Sequence, residues 1–215
     1  MLSRMLSAAL SGIDATIVRV EAHASSGLPA VNTVGLPDSA VRESRERVRS
    51  AILNSGFTYP QKRMTVNLAP ADIRKVGSSL DLPVAAAIVA LNEGALADPI
   101  QESTLMMGEL SLDGSVRPVP GTLSAALEAR KTGLTRLLVP VANAEEAGVV
   151  EGIDVVPVRS LGEAIALLNG AEGSPMPAGI ESRESIMFKL LSPPGGWGLD
   201  LAEVKGQGAA RRALE

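Results

Sequence analysis

The chain has 215 residues, a net charge of −4, 46% hydrophobic residues and only 2% aromatics. That length supports an ordinary domain with a buried core made of Val, Leu, Ile and Ala, and the charge excludes a global basic field of the kind that advertises nucleic-acid binding. The absence of cysteine excludes disulfides, thiol catalysis and Cys-zinc sites, and a single histidine, His23, excludes a His-rich metal site.

The opening "MLSRMLSAALSG" has its apolar run broken by Ser3, Arg4 and Ser7, so it lacks the core of a signal peptide. No stretch approaches the ~18 apolar residues of a membrane span, and a cytoplasmic protein is expected. Alternation predicts strands over Ser3–Leu10, Ala15–Ala24 and Pro29–Val34, with a Gly-Pro-containing turn between the last two. His23 falls in the second strand, where it reads as an ordinary strand histidine. "LPDSAVRESRERVRSAILNSG" predicts a helix capped by Asp38 or Ser39 and closed by Gly56, with Ala40, Val41, Val48, Ala51 and Ile52 as its apolar stripe. Arg63–Pro70 predicts a strand, and Asp81 to about Asn92 a helix that tolerates Pro83 in its first turn. "STLMMGELSLDGSVRPVP" predicts two strands around an Asp113-Gly114 turn. A helix ending at Gly133, a strand with a short helix, the strand "IDVVPVRS" and a helix stopped by Gly170 follow. A strand-rich first half and an alternating second half predict a mixed α/β layer fold, with helices packed on a sheet.

After Gly170 the composition shifts. "AEGSPMPAGIESRES" reads as a Pro/Gly/Ser-rich linker, and "LDLAEVKGQGAARRALE" opens a helical pattern with nothing to pack on. The expected organisation is a domain over 1–170, a linker over 171–196, and the truncated start of another domain over 197–215.

Four stretches, "VGLPDSAVRESRERVRSAI", "TVNLAPADIRKVGSSLDLPVA", "GELSLDGSVRPVPGTLSAALEAR" and "AEVKGQGAARRALE", carry a family likeness. Together they resemble the N-terminal part of the ComM/YifB family, the magnesium-chelatase-like AAA+ ATPases. The resemblance implies that 1–170 adopts the Lon protease-domain fold, an α/β (α+β) arrangement shared with a ribosomal small-subunit protein and with the C-terminal domain of the RadA helicase. It also implies that Glu203, Val204, Lys205, Gly206, Gln207, Ala210, Arg211, Arg212 and Ala213 open an AAA+ module. The G-x-x-x-x-G-K-[ST] phosphate loop is absent from this sequence. ATP and magnesium are therefore expected for a longer parent protein and not for this chain.

Lon-type peptidases use a Ser-Lys dyad, and a lysine serves as base only when burial lowers its pKa and its nitrogen reaches the hydroxyl. By resemblance, "GSSLDLP" corresponds to the nucleophile region, with the match falling on Ser79 or on Asp81 depending on a small gap. Pro118 to Ala125 fills the place of the family's P-I-G-G-L-K-E-K, which puts Ala125 at the base position. Alanine takes no proton. Lys131, six residues on, projects from roughly the opposite helix face at about 100° per residue. The expectation is a degenerate dyad, Ser79, Asp81 and Ala125, in which one of Ser78, Ser79 and Asp81 caps the helix through its side-chain oxygen. The chain is expected to be no enzyme, a pseudo-protease domain. The competing reading is a Ser-dependent peptidase with a displaced base.

Arg42, Arg45 and Arg49 share one helix face, interleaved with Glu43 and Glu46. This reads as a solvated, ion-paired face or as a contact for DNA phosphates or a neighbouring subunit. Lys62, Arg63, Arg74 and Lys75 add loop charge suited to salt-dependent phosphate contact, with Lys75 expected to face solvent or a partner. Phe57 and Tyr59 read as a core plug rather than a stacking platform. The resemblance implies a hexameric motor that migrates branched DNA during natural transformation, with this domain helping to form the ring and guide DNA. A magnesium-chelatase-type subunit is the third reading. No acidic cluster has magnesium-ligand spacing, and Glu145-Glu146 looks like a solvated pair.

Overall fold

A computed structural model describes residues 1–93 and 98–172 of the chain. All but the first two residues of the expected 171–196 linker, and the whole 197–215 segment, lie outside the described residues.

Alternating apolar positions make three long strands: β1 (Leu2–Ser11), β2 (Asp14–Ser25) and β4 (Arg63–Ala69), with the short β3 (Ala30–Val34) preceding β4. Three more follow: β5 (Thr104–Met106), β8 (Arg136–Pro140) and β9 (Asp154–Val158). They form one seven-stranded sheet in the order β3-β4-β2-β1-β5-β8-β9. Only β2 runs against the rest, pairing antiparallel with β1 and β4, while β3/β4, β1/β5, β5/β8 and β8/β9 are parallel. The mixed α/β layer architecture is the one the patterning predicts.

Register sets the two faces. Met5 pairs with Val20 and Val20 with Leu68, which puts Met5, Val20, Leu68 and their alternate neighbours on one side. All three are buried. Two helices cover this side: α1 (Ser39–Asn54) and α2 (Asp81–Glu93). In α2, Ala85, Ala86, Ala87 and Val89 are all buried, the pattern of a helix enclosed on every side. Each fully buried Leu, Ile or Val here contributes about 1.5–3 kcal/mol of transfer free energy. The predicted α1 stripe of Val41, Val48, Ala51 and Ile52 is buried as expected. Asp38 is its cap, accepting from Val41 N at 2.9 Å.

Gly35 ends β3 with φ +97°, and a Cβ there would lie 2.1 Å from the Leu68 carbonyl oxygen. Only glycine lets the chain leave β3 this close to β4.

Two expectations need correction. The strand predicted from "STLMMGEL" is not continuous. It leaves the sheet after Met106, and β6 (Glu109–Leu110) pairs instead with β7 (Val116–Arg117) in a separate hairpin around the Asp113-Gly114 turn. The break is at Gly108, whose N–H donates to Ser79 O and whose carbonyl accepts from Leu82 N, both at 3.0 Å. The chain gives up the sheet to tie down the start of α2. A short helix, α3 (Asp98–Ser103), lies where none was expected. The Asp98-Pro99 pair is the signal that could have found it, since proline favours a first helical turn.

The second half completes the layer with α4 (Thr122–Lys131), α5 (Ala144–Gly148) and α6 (Leu161–Leu168). α4 meets the opposite sheet face, where Gly121 abuts Leu10 and Ser124 Oγ donates to Ile13 O at 2.6 Å. No helix among the described residues is long and apolar enough to cross a membrane.

Candidate functional site

The start of α2 gathers the residues matched to the protease nucleophile region. None of them caps the helix through its side chain as expected. Asp81 is 2% exposed and aims its carboxylate sideways, with Oδ2 2.7 Å from Arg47 Nε and 3.2 Å from Leu110 N. Ser78 Oγ donates to Glu109 Oε2 in a short hydrogen bond. Ser79 is buried, and its hydroxyl has no hydrogen-bond partner among the described residues. Main-chain carbonyls meet the first α2 amides instead: Asp81 N donates to Ser78 O, Leu82 N to Gly108 O and Val84 N to Leu80 O. Burial raises the pKa of Asp81, and the hydrogen bond and charge of Arg47 oppose that rise. The same hydrogen bond raises the pKa of Arg47. Desolvation is the larger effect on the acid because the carboxylate is wholly enclosed while Arg47 keeps 29% of its side chain in solvent.

The base position holds no amine. Ala125 is completely buried in α4. Lys131 is 77% exposed and pairs with Glu128 at 3.3 Å, away from the core. The α4 start is held by Glu146, whose Oε1 accepts from Leu123 N at 3.2 Å. Asn143 clamps the preceding segment, accepting from Val119 N at 3.0 Å and donating to Val119 O at 2.8 Å. Glu146, expected to be solvated, is thus a helix-capping carboxylate favourably placed at a positive helix end.

Lys75 is the largest correction. Expected to face solvent, it is 0% exposed, and Nζ donates to the Pro70 carbonyl in a short hydrogen bond. The reason is backbone docking. Lys75 N donates to Leu36 O at 3.2 Å and Asp38 N donates to Lys75 O at 3.0 Å, which pins the residue under the loop before α1. Burial lowers its pKa, opposed by the charge of Asp72. A buried lysine of lowered pKa is what a displaced base would require, yet no hydrogen bond joins Lys75 to Ser79.

The arginine face of α1 is more engaged than expected. Arg45 donates to Val31 O at 3.0 Å, Arg49 lies 5.7 Å over the Tyr59 ring centroid, and Arg47 is spent on Asp81. The side chain of Arg42 lies outside the described residues. Arg45, Arg49 and Lys62 line a cleft of about 780 Å³ between α1, the edge strand β3 and the Tyr59–Lys62 loop, but Glu43 and Glu46 line it too. Tyr59 is buried, and Phe57 packs against the core, so the pair is the plug that the sequence suggests. Lys62, Arg63 and Arg74 are exposed. Sequence reasoning missed Glu109 and Leu110 at the dyad region, because nothing in the local pattern says that the strand will break at Gly108.

A sheet flanked by helices, with a serine and a carboxylate at the start of an enclosed helix, defines a protease-like scaffold. The family profile described as subunit ChlI of Mg-chelatase matches residues 20–143. The chain belongs to that family, and within it to the ComM/YifB group. It is 40% identical to the YifB protein of Escherichia coli over 95% of this chain and 38% of that protein. It is 38% identical to the competence protein ComM of Haemophilus influenzae over 99% of this chain and 40% of that protein. A weaker similarity, 23% identity over 74% of this chain and 21% of the other, links it to the Lon protease of Mycolicibacterium smegmatis. The chain spans about 40% of the length of the YifB- and ComM-type relatives it matches.

Proposed function

We propose that this chain is a non-catalytic domain of a ComM-like AAA+ ATPase that migrates branched DNA during natural transformation or recombination. In this reading it is a scaffold for ring assembly, a hexamer in the longer protein, and a contact for DNA. The observation that carries the non-catalytic role is the pair of Ala125, buried where a base would stand, and Asp81, locked to Arg47 where a nucleophile would be freed. The similarity to the competence protein ComM supports the cellular role. The 215 residues contain no phosphate loop, so they do not fit ATP and magnesium. Hydrolysis belongs to the remainder of a longer protein.

The test has two arms. A fluorophosphonate serine probe and a casein digestion assay should give no signal from this chain. Covalent labelling that is abolished by Ser79→Ala would overturn the proposal in favour of the displaced-base peptidase, for which the buried Lys75 is the one supporting observation. In the second arm, the full-length protein should migrate a four-way junction with ATP and lose that activity when residues 1–170 are deleted, while its ATPase domain still folds and binds nucleotide.

A further inference from the structure

The sheet face opposite α1 and α2 is only partly covered by helices. Pairing places Arg4 opposite Glu21 and Glu21 opposite Asn67, while Leu6 faces Arg19 and Arg19 faces Ala69. One step further along, His23 pairs with Thr65, and Ser25 pairs with Arg63. Side chains of one sheet face repeat every second residue, so Arg4, Arg19, His23, Arg63, Thr65 and Asn67 all stand on the face opposite α1 and α2. α4 packs on the Leu10 end of it, and α3 brings Gln101 and Glu102 to a cavity that Arg4, Leu6 and Arg19 also line. Arg4, Arg19, His23 and Arg63 are exposed.

This grid is positive and polar. Glu21 is the one carboxylate that β1, β2, β3 and β4 place on this face, and both of its oxygens are engaged: Oε1 with Arg4 Nε at 3.5 Å, and Oε2 accepting from Asn67 Nδ2 at 3.0 Å. Arg19 and Arg63 have no side-chain hydrogen-bond or ion-pair partner among the described residues. Ala69, opposite Arg19, and Arg63 are six residues apart on β4, so the two guanidinium bases are separated by about 20 Å along the strands. Arg4 lies between them in height. A protein partner would favour one apolar or aromatic centre; among the described residues no aromatic stands on this face, and its apolar Leu2, Leu6 and Val34 are separated by Arg4, Arg19 and Asn67. Three arginines distributed over β1, β2 and β4, with amide and hydroxyl groups between them, instead complement a polyanion.

We propose that this open face binds the phosphate backbone of a DNA strand without reading its bases. The inference rests on the DNA reading of the domain and moves the contact away from α1, where Arg45, Arg49 and Arg47 are turned to Val31, Tyr59 and Asp81, onto the opposite side of the sheet. Of the loop residues expected to meet phosphate, Arg63 belongs to this surface and the buried Lys75 does not.

The experiment is fluorescence anisotropy of a labelled oligo-dT strand titrated with this chain at several salt concentrations. The unsubstituted chain should bind with an affinity that falls as salt rises. The double variant Arg19→Ala/Arg63→Ala should bind about tenfold more weakly or worse, with a salt slope shallower by about 1.4, since each single-strand phosphate contact contributes about 0.7. Arg19→Lys/Arg63→Lys should retain most of the binding. Glu21→Gln should tighten it by about twofold, because it removes the one carboxylate that the strands place on this face and releases Arg4. Unchanged affinity and slope in the alanine pair, with unaltered circular dichroism, would overturn the proposal. If Arg45→Ala/Arg49→Ala abolishes binding instead, the domain contacts DNA through α1 and only the choice of face fails. If the unsubstituted chain does not bind at all, the DNA reading itself fails with it.

Discussion

Arg47 Nε and Asp81 Oδ2 lie 2.7 Å apart, joining the middle of α1 to the first turn of α2 across a carboxylate that is 2% exposed. That contact fixes one of the two residues, Ser79 and Asp81, that the resemblance matches to a protease nucleophile region. It also gives the pair a measurable dependence on pH.

Replacing Arg47 by Met removes the partner and leaves a buried, uncompensated carboxylate. The expected destabilisation is about 3 kcal/mol at neutral pH, read by urea unfolding. The sign with pH follows from proton binding. Burial already holds the folded pKa of Asp81 above its unfolded value, so between those two values the folded state binds more protons, and stability falls as pH rises. Losing Arg47 widens that window upward. The deficit of Arg47→Met should therefore shrink as the pH is lowered toward the unfolded pKa of the acid. A deficit that stays constant between neutral pH and that value would refute the assignment.

Lys75 should be tolerant of losing its charge. Lys75→Met keeps the buried stem and removes a desolvated ammonium, so stability at neutral pH should be unchanged or raised by about 1 kcal/mol. Because burial lowers the folded pKa of Lys75, the unsubstituted chain gains stability as pH rises from that folded value toward the unfolded one. The advantage of the variant should accordingly fade in alkali. The same substitution should leave DNA affinity and its salt slope unaltered. A clear loss of binding would show that Lys75 reaches phosphate.

Gly35→Ala should be severely destabilising, by about 3 kcal/mol or more in thermal or urea unfolding. The left-handed φ disfavours alanine, and the added carbon would strike the Leu68 carbonyl. Gly133, also at positive φ but with nothing within 4 Å of a Cβ, is the control. There Gly→Ala should cost only about 1 kcal/mol.

Asn143→Ala should cost about 2–3 kcal/mol. Asn143 satisfies both the N–H and the carbonyl of the buried Val119, and groups left unpaired in the interior carry their full desolvation penalty. Asn143→Asp keeps the acceptor for Val119 N but turns a carboxylate toward the Val119 carbonyl and Glu146 Oε2, both of which accept from Nδ2, so at neutral pH it should be no more stable than Asn143→Ala in a chemical-denaturation series.

Much of the fold was legible in the sequence because its elements have strong local causes. Alternation marked β1, β2 and β4, the Asp38 cap and apolar stripe marked α1, and the continuous Ala/Val run marked α2 as an enclosed helix. That position 125 takes no proton was also legible, since alanine is a residue type that needs no coordinates to read, while its match to a base position rests on the resemblance. The short α3 escaped because six residues leave no periodicity to read.

What the sequence could not decide were relationships between residues far apart in the chain. Whether "STLMMGEL" stays in the sheet depends on Gly108 finding Ser79 and Leu82, and the α2 start is held by that docking rather than by a serine cap. Lys75 reads as a loop cation because its neighbours in sequence are polar, but two backbone hydrogen bonds from the loop before α1 draw it inside. Arg4, Arg19 and Arg63 look scattered until antiparallel register puts them on one face, opposite α1 and α2. Composition and local pattern determine which elements form. Register and packing decide which side chains meet, because burial and pairing energies are set by neighbours in space.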